Sequence, residues 1–253
     1  MAYVFAHGSG TADDPYLVET AADLNGVRDY LSAHFKQVAD IDLSGYANWW
    51  PIGTSGTPFG GIYDGNGHKI DNLTINRPTE NNIGLFAVLS IMATIKNLGI
   101  TNVNVSGADN VGGLTGGILN SSTVSNCYST GSVSGNICVG GLVGINWSSA
   151  VYSCYSANSV SGADYIGGLI GLNHYHSTTS NCYSTSNVSG SNGVGGLVGV
   201  VYYNRTFVTN CYSKSSVLGT NNLGGLIGYK EDGATITSSY YDQETSGQSD
   251  TGK

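Results

Sequence analysis

A Gly-Gly-Leu phrase flanked by small apolar residues returns along this chain at nearly constant intervals. That beat restricts the fold more than any other feature. VGGLTG begins at 111, VGGLVG at 139, IGGLIG at 166, VGGLVG at 194 and LGGLIG at 223, in steps of 28, 27, 28 and 29 residues. A degenerate copy, NIGLFA, starts at Asn82, 28 residues before Asn110. A second phrase keeps the same beat: SNCYS at 125, YSCYS at 152, SNCYS at 180, TNCYS at 209 and SSYYD at 238. A third, VSG or a variant, closes each unit and is led by Val105, Val133, Val160, Val188 and Val217.

Each unit therefore carries three short β-type runs separated by small polar residues, with no helical period and no hairpin of Asn-Gly type. A unit of this size cannot bury its own apolar face and must stack on its neighbours. Successive coils stacked in parallel give an all-β fold, a right-handed parallel β-solenoid of about 28-residue coils with an N-terminal capping helix; right-handedness is the rule for parallel crossovers. Rungs about 4.8 Å apart turn equivalent residues into columns. Leu114, Leu142, Leu169, Leu197 and Leu226 are expected to form one core column. The glycine pairs suit coil corners, where backbones approach closely or φ is positive. A phosphate-cradle reading of these glycines fails, because no helix follows any of them.

The recurring GGL[VI]G, NCYS and VSG phrases resemble the GLUG motif repeat family, over roughly residues 82–242. The resemblance implies a module of a large bacterial secreted or cell-surface protein, adhesin-like or upstream of an immunoglobulin A peptidase. It carries over no catalytic residue. The chain divides on this reading into an N-terminal cap and opening coils (1–81), the solenoid repeats (82–242) and a linker or start of further chain (243–253). The opening MAYVFAHGSG has no signal-peptide pattern, and the closing TSGQSDTGK reads as a linker. A segment of a larger exported protein is expected.

In the first 81 residues, PYLVET reads as a strand and Thr20 as the cap of a helix through AADLNGVRDYLSAHF, with Leu24, Val27 and Leu31 on one face. Such a helix would cover the open end of the first coil. KQVADIDLSG reads as a second strand and GGIYDGNGHKIDNLTI as a third. GTADDP is a weak candidate calcium turn.

Cys127, Cys154, Cys182 and Cys211 share one repeat position, which Leu98 fills in the preceding coil and Tyr240 in the last. A position that accepts leucine is a core position, so buried free thiols are expected, with disulfides between neighbouring coils or a metal as the alternatives. Cys138 aligns instead with Asn110, Tyr165, Gly193 and Asn222, a variable slot expected to be exposed. Strand alternation then turns Tyr128, Tyr155, Tyr183, Tyr212 and Tyr241 outward, either as cross-strand stabilisation or as a sugar-stacking strip.

The segment between the glycine phrase and NCYS does not repeat: ILNSST, INWSSA, LNHYHSTT, VVYYNRTF, YKEDGAT. In solenoids such variable segments fall along one edge, often the binding edge. The candidate ligand-binding residues are accordingly Trp147, His174, Tyr175, His176, Tyr202, Tyr203, Arg205 and Tyr229. His174 and His176, two apart on a strand, could face one way and hold zinc, but no third ligand is visible, and neither a metal nor a cofactor is assigned.

Charged residues make up 10% of the chain and the formal net charge is −8. That excludes a nucleic-acid partner, which needs clustered Lys and Arg. No apolar run is long enough to span a bilayer as a helix, so direct membrane insertion is not expected. Exposed aromatics and few charges point to a polysaccharide or a cell-surface glycan as partner, beside other domains of a parent chain. A spacer without a ligand and a polysaccharide lyase or hydrolase are the alternatives. The last would need a carboxylate pair, for which the repeat region offers Asp109, Asp164, Glu231, Asp232, Asp242 and Glu244 and the opening region Asp40, Asp42 and Asp64.

Overall fold

The computed structural model describes residues 1–203 and 205–249. Each repeat folds into one coil with four faces of short strands, because the GGL phrase bends the chain midway and divides what reads as one run; in the coils from Asp164 and Asn192 the fourth face is broken into two strands. In the coil that starts at Asp109 the strands are Asp109–Gly112, Thr115–Ile118, Thr123–Ser125 and Tyr128–Ser134. The faces they build are numbered one to four here, in that order. Strands of successive coils pair in parallel with equivalent residues opposite: Val111 with Val139, Thr115 with Val143, Val124 with Val151, Val133 with Val160. Among the described residues the four sheets hold five, six, nine and eleven strands. The molecule is a parallel β-solenoid. Its opening coils stack in the same ladder, with His34–Gln37 between Tyr16–Val18 and Ile62–Asp64 on face three.

The NCYS phrase is explained residue by residue. Its asparagine turns the corner between faces three and four: Asn126, Asn181 and Asn210 all have φ of 53°, a left-handed conformation that asparagine tolerates. The Asn126 amide donates to the Asn97 carbonyl of the coil before, at 3.1 Å. The cysteine points inward, and Cys127, Cys154, Cys182 and Cys211 are buried free thiols. The main-chain N–H of Cys127 reaches the Cys154 sulfur at 3.4 Å, and the Cys127 thiol donates to the Ser125 carbonyl at 3.2 Å. The tyrosine points outward. The serine points inward again, onto the glycine pair.

That last contact gives the paired glycines their reason. A Cβ on Gly141, Gly168 or Gly196 would lie 2.1, 2.2 or 2.3 Å from the hydroxyl of Ser156, Ser184 or Ser213. A Cβ on Gly140, Gly167 or Gly195 would meet the carbonyl oxygen of Val143, Ile170 or Val198 at 2.1, 1.9 or 1.9 Å. None of these six has a positive φ. Close approach, not an unusual dihedral, is what they supply. The adjacent Leu114, Leu142, Leu169, Leu197 and Leu226 are fully buried.

The last coil departs from the expected register by one residue. Ser239, not Tyr240, holds the cysteine position and its hydroxyl accepts the Cys211 N–H at 3.1 Å. Tyr240 lies opposite Tyr212 and extends the outward column in place of Tyr241. Tyr241 turns inward against Gly225, where earlier coils place a serine.

At the N-terminus Thr20 caps helix α1 (Ala21–Gly26) through a capping box with Asp23. Leu24 and Val27 are fully buried. The helix is shorter than its apolar spacing predicts: one 3-10 turn, Val27–Asp29, ends it, and Leu31 lies in the turn beyond. The residues from His34 are taken by the face-three ladder, whose pairing outweighs helix propensity. The second and third expected strands are likewise split by corners, into His34–Gln37 and Ile41–Asp42, and into Ile62–Asp64, Lys69–Asp71 and Thr74–Asn76. Phe5, Phe35, Phe59 and Phe86 link ring to ring along the opening core at 5.7, 6.2 and 5.1 Å. Within 243–253, Gln243–Ser246 forms a one-turn helix α2 capped by Asp242; residues 250–253 lie outside the described residues.

The Gly168→Ala substitution is expected to destabilise the fold by about 1–3 kcal/mol, the usual range for overpacking, because its Cβ would meet the Gly196 carbonyl at 2.2 Å as well as Ser184. Denaturant unfolding of the variant beside the parent measures this.

Candidate functional site

The non-repeating segments are the turns that join face two to face three. Two inward columns bracket them. On one side stand Ile118, Asn146, Asn173 and Val201; on the other the buried Ser122, Ser149, Ser177 and Thr206. Between these columns lie residues 119–121, 147–148, 174–176 and 202–205. Those lengths account in full for the uneven beat of the repeat, since every other segment of the coil keeps its length. Length variation confined to one edge is the mark of a solenoid's variable surface.

The brackets are polar and paired. The Asn146 amide donates to the Asn173 carbonyl at 3.0 Å, and Asn173 donates to the Thr179 hydroxyl at 2.8 Å. The Thr206 hydroxyl donates to the Tyr202 carbonyl at 2.9 Å. These bonds anchor the base of the turns at Trp147, His174 and Tyr202, while Asn146 Oδ1 and Ser177 Oγ are buried without a partner among the described residues.

On that base the aromatic residues form one continuous patch. Trp147, His174 and Tyr202 occupy a single column. The Trp147 and His174 rings are 4.2 Å apart between centroids, His174 and Tyr203 4.6 Å, and Tyr175 and His176 4.5 Å with planes within 16°. Tyr175 also lies 6.4 Å from Trp147 and 6.3 Å from Tyr203. Tyr229 sits opposite Val200 within a strand, not in a turn, and joins the patch through Tyr202 at 5.8 Å. Arg205 is exposed and makes no ion pair or ring contact among the described residues. Trp147, Tyr175, His176 and Tyr203 are the exposed ring-bearing members.

Backbone conformation sets these side chains outward. Tyr175 and His176 both have positive φ, 45° and 61°. Such consecutive values belong to a turn that Asn-Gly fills readily, and they cost other residues roughly 1–2 kcal/mol each. His176 therefore lies in the turn beyond the strand Ile170–His174, and the two histidines do not share a strand face as expected. His174 packs on Trp147, His176 on Tyr175. Burial draws the His174 pKa below its ordinary value, against a smaller opposing pull from Glu231, so the ring is neutral at neutral pH. Its Nδ1 is buried without a partner among the described residues. Glu231, which the sequence reading treated only as a carboxylate, accepts the Tyr203 main-chain N–H at 2.7 Å and braces that turn.

Cys138 is buried, not exposed. Its slot is an outer column of left-handed residues, Asn110, Cys138, Tyr165, Gly193 and Asn222, with φ of 56°, 57°, 62°, 65° and 51°. The side chains bend back over face two, where Cys138, Leu172 and Val200 form a small apolar cluster outside the main core, flanked by Ile145, Tyr165, Tyr202 and Tyr229. Burial, with Asp109 and Asp164 nearby, pushes the Cys138 thiol up to about 12. Tyr165 was missed as a site residue; it contacts Tyr202 edge-on at 5.9 Å.

The other candidates carry less. Tyr128, Tyr155 and Tyr183 stack at 4.8 Å with planes within 2° and 6°, and the outer face of Tyr128 rests on Gly99. Stacking covers ring faces that a sugar would need, which favours cross-strand stabilisation for these three; Tyr212 and Tyr240 farther along the column are exposed. Among the carboxylates, the Lys69 main-chain N–H on Asp40 and the Asn72 amide on Asp42 hold both below the usual range. At Asp64 burial pulls the pKa up but is outweighed by bonds from Asn97, Asn66 and Lys96. A general acid needs the opposite shift. Away from the edge, Trp50 is 62% exposed with the Arg77 guanidinium 3.3 Å over its ring, and openings of about 390 and 240 Å³ flank it. The tandem Trp49-Trp50 held that signal, since alternation buries only one of two neighbours.

Comparison with known proteins bears on the repeat and the fold. Residues 107–134 and 162–189 match the family model described as the GLUG motif. Over 123 residues, 45% of this chain and 14% of the relative, the sequence is 46% identical to a protein of Evansella cellulosilytica provisionally named a Gly-rich membrane protein. Over 149 residues, 54% of this chain and 2% of the relative, it is 38% identical to halomucin of Haloquadratum walsbyi. The chain thus spans a small part of either relative. Among solved structures, a candidate immunoglobulin A1 protease from Bacteroides ovatus superposes with a TM-score of 0.80 at 24% identity, over 94% of this chain and 78% of that one. A structure named IgA1 Protease gives 0.66 at 17% identity, over 87% and 19%. At these identities the fold is what is shared. No helix among the described residues is long and apolar enough to cross a membrane.

If the Tyr175–His176 turn is strained for display, then Tyr175→Asn combined with His176→Gly stabilises the chain. Relief of two left-handed residues at about 1–2 kcal/mol each exceeds the loss of ring contacts worth about 0.5–1.5 kcal/mol. A net gain near ~1 kcal/mol is expected in denaturant unfolding; a loss would make the two rings packing elements.

Proposed function

We propose that this chain is a non-catalytic β-solenoid module of an exported or cell-surface protein, and that it binds polysaccharide or a surface glycan along the face-two to face-three edge. The observation that carries the proposal is the single aromatic patch running from Trp147 through His174 and Tyr175 to Tyr203. Flat rings with polar rims suit the mixed faces of pyranose sugars, as amphipathic aromatics do at other wet contact surfaces. Exposed aromatics grouped on one edge call for a ligand more than for a fold-level reason. The engagement of Asp40, Asp42 and Asp64 in inter-coil hydrogen bonds supports a binding role over a lyase or hydrolase. Relatives bearing the names halomucin and Gly-rich membrane protein support an exported setting. Other domains of a longer parent chain are the natural companions of such a module.

The test is native electrophoresis in gels cast with a panel of neutral and acidic polysaccharides. Retardation by at least one polymer is expected, and its loss when Trp147→Ala is combined with Tyr203→Ala. Unchanged mobility in every gel would contradict the proposal and favour a spacer without a ligand of its own.

A further inference from the structure

A second aromatic surface lies at the cap end of the solenoid, where Trp49 and Trp50 are held between two of the chain's three arginines. Arg28, in the 3-10 turn that ends the capping helix, lies 5.1 Å over the ring of the buried Trp49. Its Nη1 and Nη2 donate to the Pro51 and Trp50 carbonyls at 3.0 and 2.8 Å. Its Nε donates to the main-chain and side-chain carbonyls of Asn25 at 3.1 and 3.0 Å. The buried Arg77 guanidinium covers one face of Trp50 at 3.3 Å and is itself held by Glu80 at 3.0 Å. Trp50 is nevertheless 62% exposed, so its other face is open. A ring fixed from behind in this way loses little freedom when a ligand stacks on it.

The Trp50 ring borders the cleft of about 390 Å³. Leu31 and Pro51 continue the apolar wall, and both are only half-buried, within reach of a ligand. Asn25, Thr54 and Thr57 add amide and hydroxyl groups, and Arg28 adds a positive charge. No carboxylate lines this cleft. The carbonyl partners of Arg28 are neutral and leave one N–H on each terminal nitrogen without an acceptor among the described residues, where it also makes no ion pair. Burial pulls its pKa down against a smaller pull from Asp29, whose carboxylate accepts the Tyr3 main-chain N–H at 2.6 Å.

Thus a chain of net charge −8 keeps a half-buried cation without a carboxylate partner beside an open indole face. Removing a charge from water is costly unless a counter-charge is bound to it, and an anion in the cleft would be that counter-charge. A cationic ligand is disfavoured, because Arg77 already draws on the ring's π-density and Arg28 stands in the wall. By the share of about 30 Å³ per liquid water, the cleft holds roughly 13 heavy atoms, the size of one sugar residue.

We infer that this cleft binds a hexuronate residue of an acidic polysaccharide. The pyranose ring lies on the open face of Trp50, the carboxylate takes the two remaining N–H groups of Arg28, and the hydroxyls face Asn25 and the Thr54–Thr57 hydroxyl pair. The cleft shares no residue with the aromatic patch of the variable edge, so the inference does not depend on that patch being a glycan site.

The test titrates the full chain, by calorimetry at low salt, with two β-1,4-linked tetramers that differ only at carbon 6, one of glucuronate and one of glucose. The glucuronate tetramer is expected to bind about tenfold tighter, the worth of one charge-assisted hydrogen bond, and its advantage to shrink as salt is raised. Arg28→Gln should remove the preference. Trp50→Ala, at an exposed position, keeps the test decisive if Arg28→Gln disturbs the cap, and should abolish glucuronate binding. That binding should survive Trp147→Ala combined with Tyr203→Ala. Equal binding of the two tetramers, binding of neither, or glucuronate binding that survives Trp50→Ala overturns the inference. Loss of glucuronate binding in the Trp147→Ala, Tyr203→Ala variant alone places that sugar on the edge and overturns it as well.

Discussion

Two backbone layers meet at the paired glycines with no room for a side chain, and the rest of the structure depends on that contact. In the pairs from Gly112–Gly113 to Gly195–Gly196 the second glycine receives a buried serine hydroxyl from the NCYS phrase, and the first receives a carbonyl oxygen from the strand of face two; in the last pair Tyr241 takes the serine's place on Gly225. A close-packed interior of this kind transmits any added volume to its neighbours. The glycine, serine, cysteine and leucine columns are therefore fixed together, coil after coil. Corners between faces three and four are held by a left-handed asparagine or serine in every repeat. Only one corner escapes these linked demands. The turn from face two to face three lies outside the glycine contact and is anchored only at its two ends, so its length and composition are free to change.

That freedom explains where chemistry can accumulate on an otherwise uniform scaffold. The same edge that absorbs every change in repeat length also gathers Trp147, His174, Tyr175 and Tyr203, and among its described residues holds Ser121, Ser148, Tyr175, His176, Tyr203 and Arg205 at positive φ without asparagine or glycine. Strained backbone that persists in an exposed turn is a reason to suspect function. The tyrosine ladder on face four makes the contrast. It is just as aromatic, yet it repeats faithfully and its rings cover one another.

Much of the fold was legible because a solenoid writes its three-dimensional contacts into its period. The inward cysteine column followed from Leu98 standing at the same position, and the outward tyrosines followed from alternation. The edge residues were found by asking which positions fail to repeat. Other features were hidden for physical reasons. In the last coil SSYYD has no cysteine to mark its register, and only pairing with Tyr212 shows that Ser239 takes the core position. Cys138 shares its slot with polar residues, so composition suggested exposure. It is buried because a left-handed residue there folds its side chain back onto Leu172 and Val200. The capping helix stops early because strand pairing at His34 competes with it. Tyr165 gained meaning only when its contact with Tyr202 across face two was known.

The central claim is that ligand contact on the repeats is confined to the variable edge. Hydrogen exchange of main-chain amides, measured alone and with each polysaccharide of the panel, tests it most directly. For at least one polymer, exchange should slow at the turns carrying Trp147, Tyr175 and Tyr203 and stay unchanged at Tyr128, Tyr155 and Tyr183. Slowed exchange centred on the face-four tyrosines, or no change with any polymer, would contradict the account.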